Sequence, residues 1–328
     1  MDATNKIKEY LNPYLHILIL TVGALVSFAV VLIVVFEIFK GIRVFIWSRI
    51  LKVDLISRYG EYVIVTGATD GIGIEFAKQF AQRGHSIVIF GRNANKLSAA
   101  KSLISRYLYP GKKIISIQAD FNEIYDNNIY QKIENQLLEI KGKTGILVNN
   151  AGVFLKKPDL YLNLDEDEVF ANVKVNIIAV LMMTRIVLPF MVSNRKGLII
   201  NVSSLAAFSV LPSFGVYGAS KKFVEYFSKS IEYEYKRYNI DVQTLVPAYI
   251  ITKMVGWSNH LNKPSVLYPS AEVYVKSAIA TITRSNHTTG YWLHGLFYTL
   301  NSLFVPSWVY TLLTHRYNRY LNTSSKTL

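Results

Sequence analysis

The sequence contains no cysteine. Disulfides, thiolate metal sites and cysteine nucleophiles are excluded, and a reducing compartment is allowed. Charge is scarce as well: charged residues make up 18% of the 328, against 51% hydrophobic. That balance is apolar for a soluble chain and points to lipid contact. Acidic residues are the rarer charged class, 22 against 36 basic, which leaves a formal charge of +14. The basic residues are dispersed and no nucleic-acid recognition module is present, so no nucleic-acid partner is expected. Anionic lipid headgroups and phosphate-bearing ligands account for the charge more simply. The histidines His16, His85, His260, His287, His294 and His315 lack metal-ligand spacing, and no metal is expected. Internal repeats, low-complexity tracts and long polar linkers are missing too, while the length allows a sizeable core.

What the sequence does have is a long apolar run. Tyr14 to Phe36 carries no charged residue. Its 23 residues suffice to cross a bilayer core of roughly 30 Å at about 1.5 Å per residue. The run exceeds a signal-peptide core of about 7–15 residues and no small-residue cleavage site ends it, so an uncleaved anchor is expected. Lys6 and Lys8 precede it, whereas Lys40, Arg43, Arg49, Lys52 and Arg58 follow. This asymmetry places the bulk of the chain in the cytosol. Arg43 to Leu55 mixes basic with apolar residues, as in a helix lying among headgroups or one packed on the following domain. A second apolar stretch, Trp292 to Leu313, is interrupted by Asn301, Ser302, Pro306 and Ser307. Pro306 should break it into a re-entrant or surface-lying segment. The organisation expected is an anchor with a juxtamembrane helix (1–58), a catalytic domain (59–294) and a membrane-associated C-terminal segment (295–328).

Between the apolar segments, strands and helices alternate. Tyr62–Thr66, Ser86–Phe90, Ile114–Gln118, Gly145–Val148, Leu198–Val202 and Val242–Val246 read as short buried strands. Helical patterns at Ile74–Gln82, Lys96–Tyr107, Ile129–Ile140, Glu166–Met191 and Lys222–Tyr238 separate them. Such alternation predicts an α/β domain with a doubly wound parallel sheet covered on both faces.

Directly after the first strand stands Thr66-Gly67-Ala68-Thr69-Asp70-Gly71-Ile72-Gly73. Glycines there let the chain turn tightly and approach a pyrophosphate, while the next helix offers free N–H groups and a positive dipole end. The motif sits between a strand and a helix, the context that gives it meaning. Arg92 follows the second strand with no Asp or Glu nearby in sequence; a basic residue there accommodates the 2′-phosphate of NADP. Asp120, at the end of the third strand, is placed to accept a bond from an adenine amino group. Asn149-Asn150-Ala151-Gly152 brings small and polar residues to the same sheet edge.

Tyr217 and Lys221 lie four apart, hence on one helical face. A free tyrosine near pKa ~10 is a poor acid–base at neutral pH, and a nearby ammonium is expected to lower that value. Tyr217 can then protonate a carbonyl oxygen as hydride arrives from a nicotinamide, with Lys221 bonding the ribose. Ser204 can hydrogen-bond the same oxygen, and Asn176 can hold a water linking Lys221 to solvent. A lone Tyr-x-x-x-Lys is usually an ordinary helix surface; its order after the glycine turn, the Asn-Asn-Ala-Gly, Asn176 and Ser204 is what gives it weight.

From Glu61 to His294 these residues resemble the short-chain dehydrogenase/reductase family. The resemblance implies a Rossmann-type fold, a nucleotide turn like Gly67, Gly71 and Gly73, and a tetrad like Asn176, Ser204, Tyr217 and Lys221. It also implies a Pro-Gly near Pro247, where this chain has Ala248, and a carboxamide contact from Thr252. A narrower likeness lies in Thr69–Gly73, Met183-Thr184, Val187-Leu188-Pro189, Phe223–Ser228, Glu232–Tyr235 and Pro306-Ser307-Trp308. These are similar to the branch of very-long-chain 3-oxoacyl-CoA reductases and 17-beta-hydroxysteroid dehydrogenases types 3 and 12. That branch implies NADPH, a lipid ketone such as a 3-oxoacyl-CoA or a steroid, and the endoplasmic reticulum membrane. It leaves room for a homodimer or for partners in a lipid-synthesis complex. A retinoid or other lipid alcohol dehydrogenase, and a non-catalytic membrane-organising protein on this scaffold, are the alternatives. The apolar stretch from Ile250 to Tyr268, with Met254, Val255, Trp257 and Leu261, is a candidate substrate lid or simple core packing.

Overall fold

The computed structural model describes residues 13–50, 53–123, 128–252 and 264–324. Lys6, Lys8 and Lys52, and the lid candidates Met254, Val255, Trp257 and Leu261, lie outside them. The chain opens with α1, Pro13–Ile42, a single helix of 30 residues. Proline suits a first helical position because its missing N–H has no partner there anyway. At about 1.5 Å per residue, α1 spans about 45 Å, more than a hydrocarbon core of about 30 Å. Leu20, Leu25, Phe28 and Phe36 are all exposed along it. Its length and apolar surface make it a candidate membrane span.

The helix continues through a π-turn, Arg43–Trp47, and one α-turn, Ser48–Ile50. This stretch has two faces. Val44 and Ser48 are buried, and Phe45 lies against Gly295. Arg43 also donates to the carbonyl of Arg284 at 3.1 Å. Ile46, Trp47 and Ile50 are exposed. One face is therefore packed on the domain while the other is exposed. A short helix, α2 (Leu55–Tyr59), capped by the Asp54 carboxylate, then puts Leu55 and Tyr59 into the core.

The sheet has seven parallel strands: β1 (Tyr62–Val65), β2 (Ser86–Gly91), β3 (Ile114–Gln118), β4 (Thr144–Asn149), β5 (Gly197–Val202), β6 (Ile240–Leu245) and β7 (His287–Thr288). Their spatial order is β3-β2-β1-β4-β5-β6-β7. Parallel central strands are apolar throughout because helices cover both faces. Successive side chains of β1 feed opposite layers. Val63 and Val65 join Phe76, Phe80 and Ile89 on one side, and Ile64 joins Phe90, Leu147 and Met183 on the other. The chain steps outward from β1 to β3 and then restarts at β4 on the other side of β1. The carboxyl ends of β1 and β4 thus flank the switch point where such sheets bind ligands.

The covering helices include α3 (Gly71–Ala81), α4 (Ala94–Ser105) and α5 (Ile129–Leu137). The expected helix over Glu166–Met191 is interrupted: α6 (Glu166–Val173) passes through a π-turn, Lys174–Ile178, into α7 (Ala179–Asn194). The next helix, α8, runs Gly215–Tyr235 and starts well before the expected Lys222. Gly218, Ala219 and Ser220 hide its first turns from an apolar-period reading. Gly218 is small because a Cβ there would already lie 3.0 Å from the Ala206 carbonyl. Two elements were not expected, the two-residue β7 and α9 (Ala271–Ala280). At the C-terminal end, α10 (Trp292–Phe304) and α11 (Ser307–Ser324) break at Pro306, as the proline predicts.

Candidate active site

The turn after β1 is built on a crowded backbone. Gly67 has φ +64°, and a Cβ there would come 2.9 Å from the Ala151 Cα. A Cβ on Gly73 would overlap the Gly67 carbonyl and the Asn150 amide. Both positions therefore require glycine. Asn150 locks the turn from β4: its Nδ2 donates to the carbonyls of Thr66 at 3.0 Å and Gly67 at 3.1 Å. The Thr66 hydroxyl accepts from the backbone N–H of Asn150 and Ala151 in return. Asp70 caps α3 by accepting from Gly71 N at 2.8 Å. The result is a cradle of small residues at a helix N-terminus, which suits a pyrophosphate.

β2 ends against this turn. Ala68 N donates to the Phe90 carbonyl at 2.9 Å, and Thr69 lies close enough to Gly91 that a side chain there would collide with it. Arg92, the next residue, is exposed, and its carbonyl accepts from Gln118 of β3. Asp120 follows two residues beyond β3, half-buried, with Ala119 N donating to Gly91 O. Arg92 and Asp120 thus lie at the same sheet edge as the glycine turn.

Ser204 lies just beyond β5, where it caps the short 3₁₀ turn Leu205–Ala207. Tyr217 and Lys221 occupy the first turns of α8 and are both buried. Tyr217 and Ser204 share a side-chain hydrogen bond. The Lys221 ammonium lies 5.8 Å from the Tyr217 ring centroid and donates to Val202 O at 3.0 Å. Asn176 sits in the π-turn, a feature common at functional sites. Its amide nitrogen donates to Val153 O, Asn172 Oδ1 and the Ser220 hydroxyl, and Val153 N donates to its oxygen at 2.8 Å. Ser220 in turn donates to Tyr217 O at 2.7 Å. A Cβ on Gly152 would have Asn176 Oδ1 at 3.3 Å and Lys221 Nζ at 3.4 Å, so Gly152 leaves open the space between them. Pro247 accepts from Leu205 N at 2.8 Å, and the Thr252 methyl reaches to 3.0 Å from where a Gly71 Cβ would stand. Every candidate residue is therefore gathered along one edge of the sheet.

One electrostatic expectation is corrected. Burial pushes the Tyr217 phenol up to about 12, only partly opposed by the Ser204 hydrogen bond. Burial likewise pulls Lys221 down to about 8. The phenol is set by burial rather than by the lysine. Its charge is itself poorly solvated, and it is directed to a backbone carbonyl rather than at the hydroxyl.

Aromatic residues complete the chamber and were not singled out in the sequence. Phe154 meets the Tyr217 ring edge-on at 4.6 Å and stacks on Phe214 at 4.9 Å. Phe208 lies between Tyr298 of α10 and Tyr310 of α11, at 5.1 and 5.6 Å. Tyr249 is 41% exposed, yet burial by its surroundings, with Tyr317, Tyr310, Tyr268 and Tyr217 nearby, pushes its phenol to about 12. α11 also donates from Thr311 to Val210 O and from Asn318 to Pro212 O. The loop between Ser204 and Tyr217 is thus braced by the C-terminal helices. The high tyrosine count, 22, is the one sequence signal that could have pointed here.

The chain is similar in sequence and in fold to known proteins. Residues 61–262 match the family model described as short chain dehydrogenase. A relative from Gallus gallus, hydroxysteroid dehydrogenase-like protein 1, is 38% identical over 93% of this chain and 91% of its own. Its Homo sapiens counterpart, named inactive hydroxysteroid dehydrogenase-like protein 1, is 36% identical over 94% of this chain and 92% of its own. The very-long-chain 3-oxoacyl-CoA reductase of Rattus norvegicus is 36% identical over 82% of this chain and 85% of its own. Among solved structures, a short-chain dehydrogenase from Sphingobium yanoikuyae in complex with NADPH superposes with a TM-score of 0.62. It is 26% identical, covering 70% of this chain and 87% of that one.

Proposed function

We propose that this chain, which belongs to the short chain dehydrogenase family, is a membrane-anchored reductase that uses NADPH to convert a lipid ketone, 3-oxoacyl-CoA, to the 3-hydroxyacyl product. The observation that carries the reading is the convergence of Ser204, Tyr217, Lys221 and Asn176 beside the glycine turn. The cradle fits the dinucleotide: Gly67, Thr69, Asp70, Gly71, Ile72 and Gly73 would hold its pyrophosphate, Arg92 its 2′-phosphate and Asp120 its adenine. Asn150, Tyr217, Lys221, Pro247 and Thr252 would line the nicotinamide half. When bound, that cofactor supplies a hydride to the carbonyl carbon. Ser204 then orients the carbonyl oxygen, Tyr217 gives it a proton, and the route past Lys221 and Asn176 replaces that proton from solvent.

The rat relative's name supports an acyl-CoA substrate, and the chicken relative's supports a hydroxysteroid as the second reading. A human relative named inactive makes a non-catalytic reading worth testing. The complete tetrad weighs against it, since a chain freed from catalysis has no need to bury a lysine beside Tyr217. NADPH oxidation by purified protein with 3-oxoacyl-CoA and 17-ketosteroid panels separates the three. Selective turnover of the acyl-CoA supports the first reading, selective turnover of steroid the second, and none the third.

Arg92→Leu tests the cofactor preference. Losing a charge-assisted bond of about 1.5–3 kcal/mol should weaken NADPH by about ten- to a hundredfold. NADH, which lacks the phosphate, should change little. Titration of both nucleotides checks this, and equal losses would refute the assignment.

Membrane seating follows from α1 and from the broken C-terminal pair. α10 has 13 residues, about 20 Å at about 1.5 Å per residue, too short to cross a core of about 30 Å. We place the catalytic domain and the C-terminal end on the cytosolic face of the endoplasmic reticulum. The sequons at Asn286 and Asn322 should then stay bare on expression with microsomes. A mobility shift abolished by Asn286→Gln would overturn the orientation; one abolished only by Asn322→Gln would establish a second crossing.

A further inference from the structure

Among the described residues, His294 is the buried histidine that joins two separate backbone segments. It lies in the first turn of α10 and is 3% exposed. Ala248 N donates to its Nδ1 at 3.3 Å, and its Nε2 lies 3.3 Å from the Leu267 carbonyl. These partners require the neutral tautomer with the proton on Nε2, and burial, which pulls the group down to about 4, keeps it neutral. Tyr291, three residues earlier, packs edge-to-face on the imidazole at 5.1 Å and donates from its hydroxyl to Val266 O at 3.1 Å. One helical turn therefore holds Ala248 on one side and Val266 and Leu267 on the other. Ile251 N donates to Pro269 O at 3.1 Å, a second tie between the same two segments.

We propose that His294 is a positioning residue that fixes the Pro247–Thr252 backbone, and with it the Thr252 side chain, against the glycine turn. Pro247 is tied to Leu205 beside Ser204, and Thr252 reaches over Gly71 at the start of α3. The stretch between them spans from the proton-donor side of the site to the nucleotide side. Ala248 occupies the middle of it, where its N–H has the imidazole as partner. A side chain serving there must accept from an N–H and donate to a carbonyl at once, from a buried position and without charge. Neutral histidine and glutamine can do both; an apolar ring cannot, and would leave Ala248 N–H unpaired. The role assigned to Thr252 rests on the dinucleotide reading above, whereas the backbone clasp does not.

The test uses the full-length protein in detergent, with His294→Phe and His294→Gln. Hydrogen–deuterium exchange is read in the absence of nucleotide over 247–252 and 264–270. His294→Phe should speed exchange in these two segments alone, leaving β1, β4 and β5 protected as in the wild type. It should lower kcat by about tenfold, within what misplacing a supporting group costs, while the Kd for NADPH changes by less than about threefold because Arg92 and Asp120, which would hold the adenosine end, do not depend on this stretch. His294→Gln should recover most of both. Unchanged exchange in 247–252, or faster exchange spread over the whole sheet, would overturn the clasp. If the wild type neither binds NADPH nor turns over, the functional reading fails, and the exchange pattern still decides the clasp.

Discussion

Tyr217→Phe should lower turnover by at least about a hundredfold, the lower end for loss of general acid catalysis. Fold and nucleotide affinity should be preserved. The phenyl ring keeps the edge contact with Phe154 and the face toward Lys221, so packing is retained. What disappears is the hydroxyl bonded to Ser204. Burial pushes that phenol to about 12, so it carries its proton at neutral pH and gives it up only as hydride arrival makes the carbonyl oxygen strongly basic. Single-turnover rates with NADPH and a saturating ketone, with melting temperature and Kd as controls, check the prediction. Near wild-type turnover would remove Tyr217 from the mechanism.

Lys221→Met should abolish activity and yet stabilise the protein at neutral pH. The ammonium is buried at 6% exposure, and burial depresses its pKa from 10.5 to about 8. The sign follows from linkage. A depressed folded-state value means stability that is present above the unfolded value near 10.5 and lost as pH falls through about 8. At pH 7 the folded chain therefore carries the full cost of a desolvated charge, on the order of 1–3 kcal/mol once the lost bond to Val202 is set against it. Methionine fills a similar volume without that cost. Thermal melts of both proteins from pH 7 to 10.5 check this: the variant should melt higher near pH 7, and the gap should close toward pH 10.5. A lower melting point for the variant at every pH would mean that the lysine is a structural asset. The expected outcome would instead mark it as a residue kept for function against stability.

Much of the architecture was legible because it is written in patterns of fixed period. The six longer strands were found as β-rich runs, and the glycine turn was found by its place between a strand and a helix. The break at Pro306 followed from the missing N–H of proline. β7 was missed because two residues, His287 and Thr288, carry no periodicity. The start of α8 was missed because its small residues resemble a loop; at Gly218 the close approach to Ala206 demands one. The π-turn at Lys174–Ile178 leaves no mark in a 3.6-residue pattern, although it sets the position of Asn176. The sequence also placed a phenol and an amine on one face but could not tell how deeply either is buried, and burial is what sets the direction of both shifts. His294 could be read only as a core or surface histidine, since its partners Ala248 and Leu267 are backbone groups far away in the chain.

The central claim is hydride transfer from NADPH to a lipid ketone with Tyr217 as proton donor. The most direct measurement is label transfer: purified full-length protein, NADPH carrying deuterium at the transferable C4 position, a long-chain 3-oxoacyl-CoA, and mass spectrometry of the product. The account predicts one deuterium on the new carbinol carbon of the 3-hydroxyacyl-CoA, and none in product from Tyr217→Phe on the same timescale. Protein that binds NADPH normally yet transfers no deuterium to the acyl-CoA, or transfers it equally well without the Tyr217 hydroxyl, would contradict it.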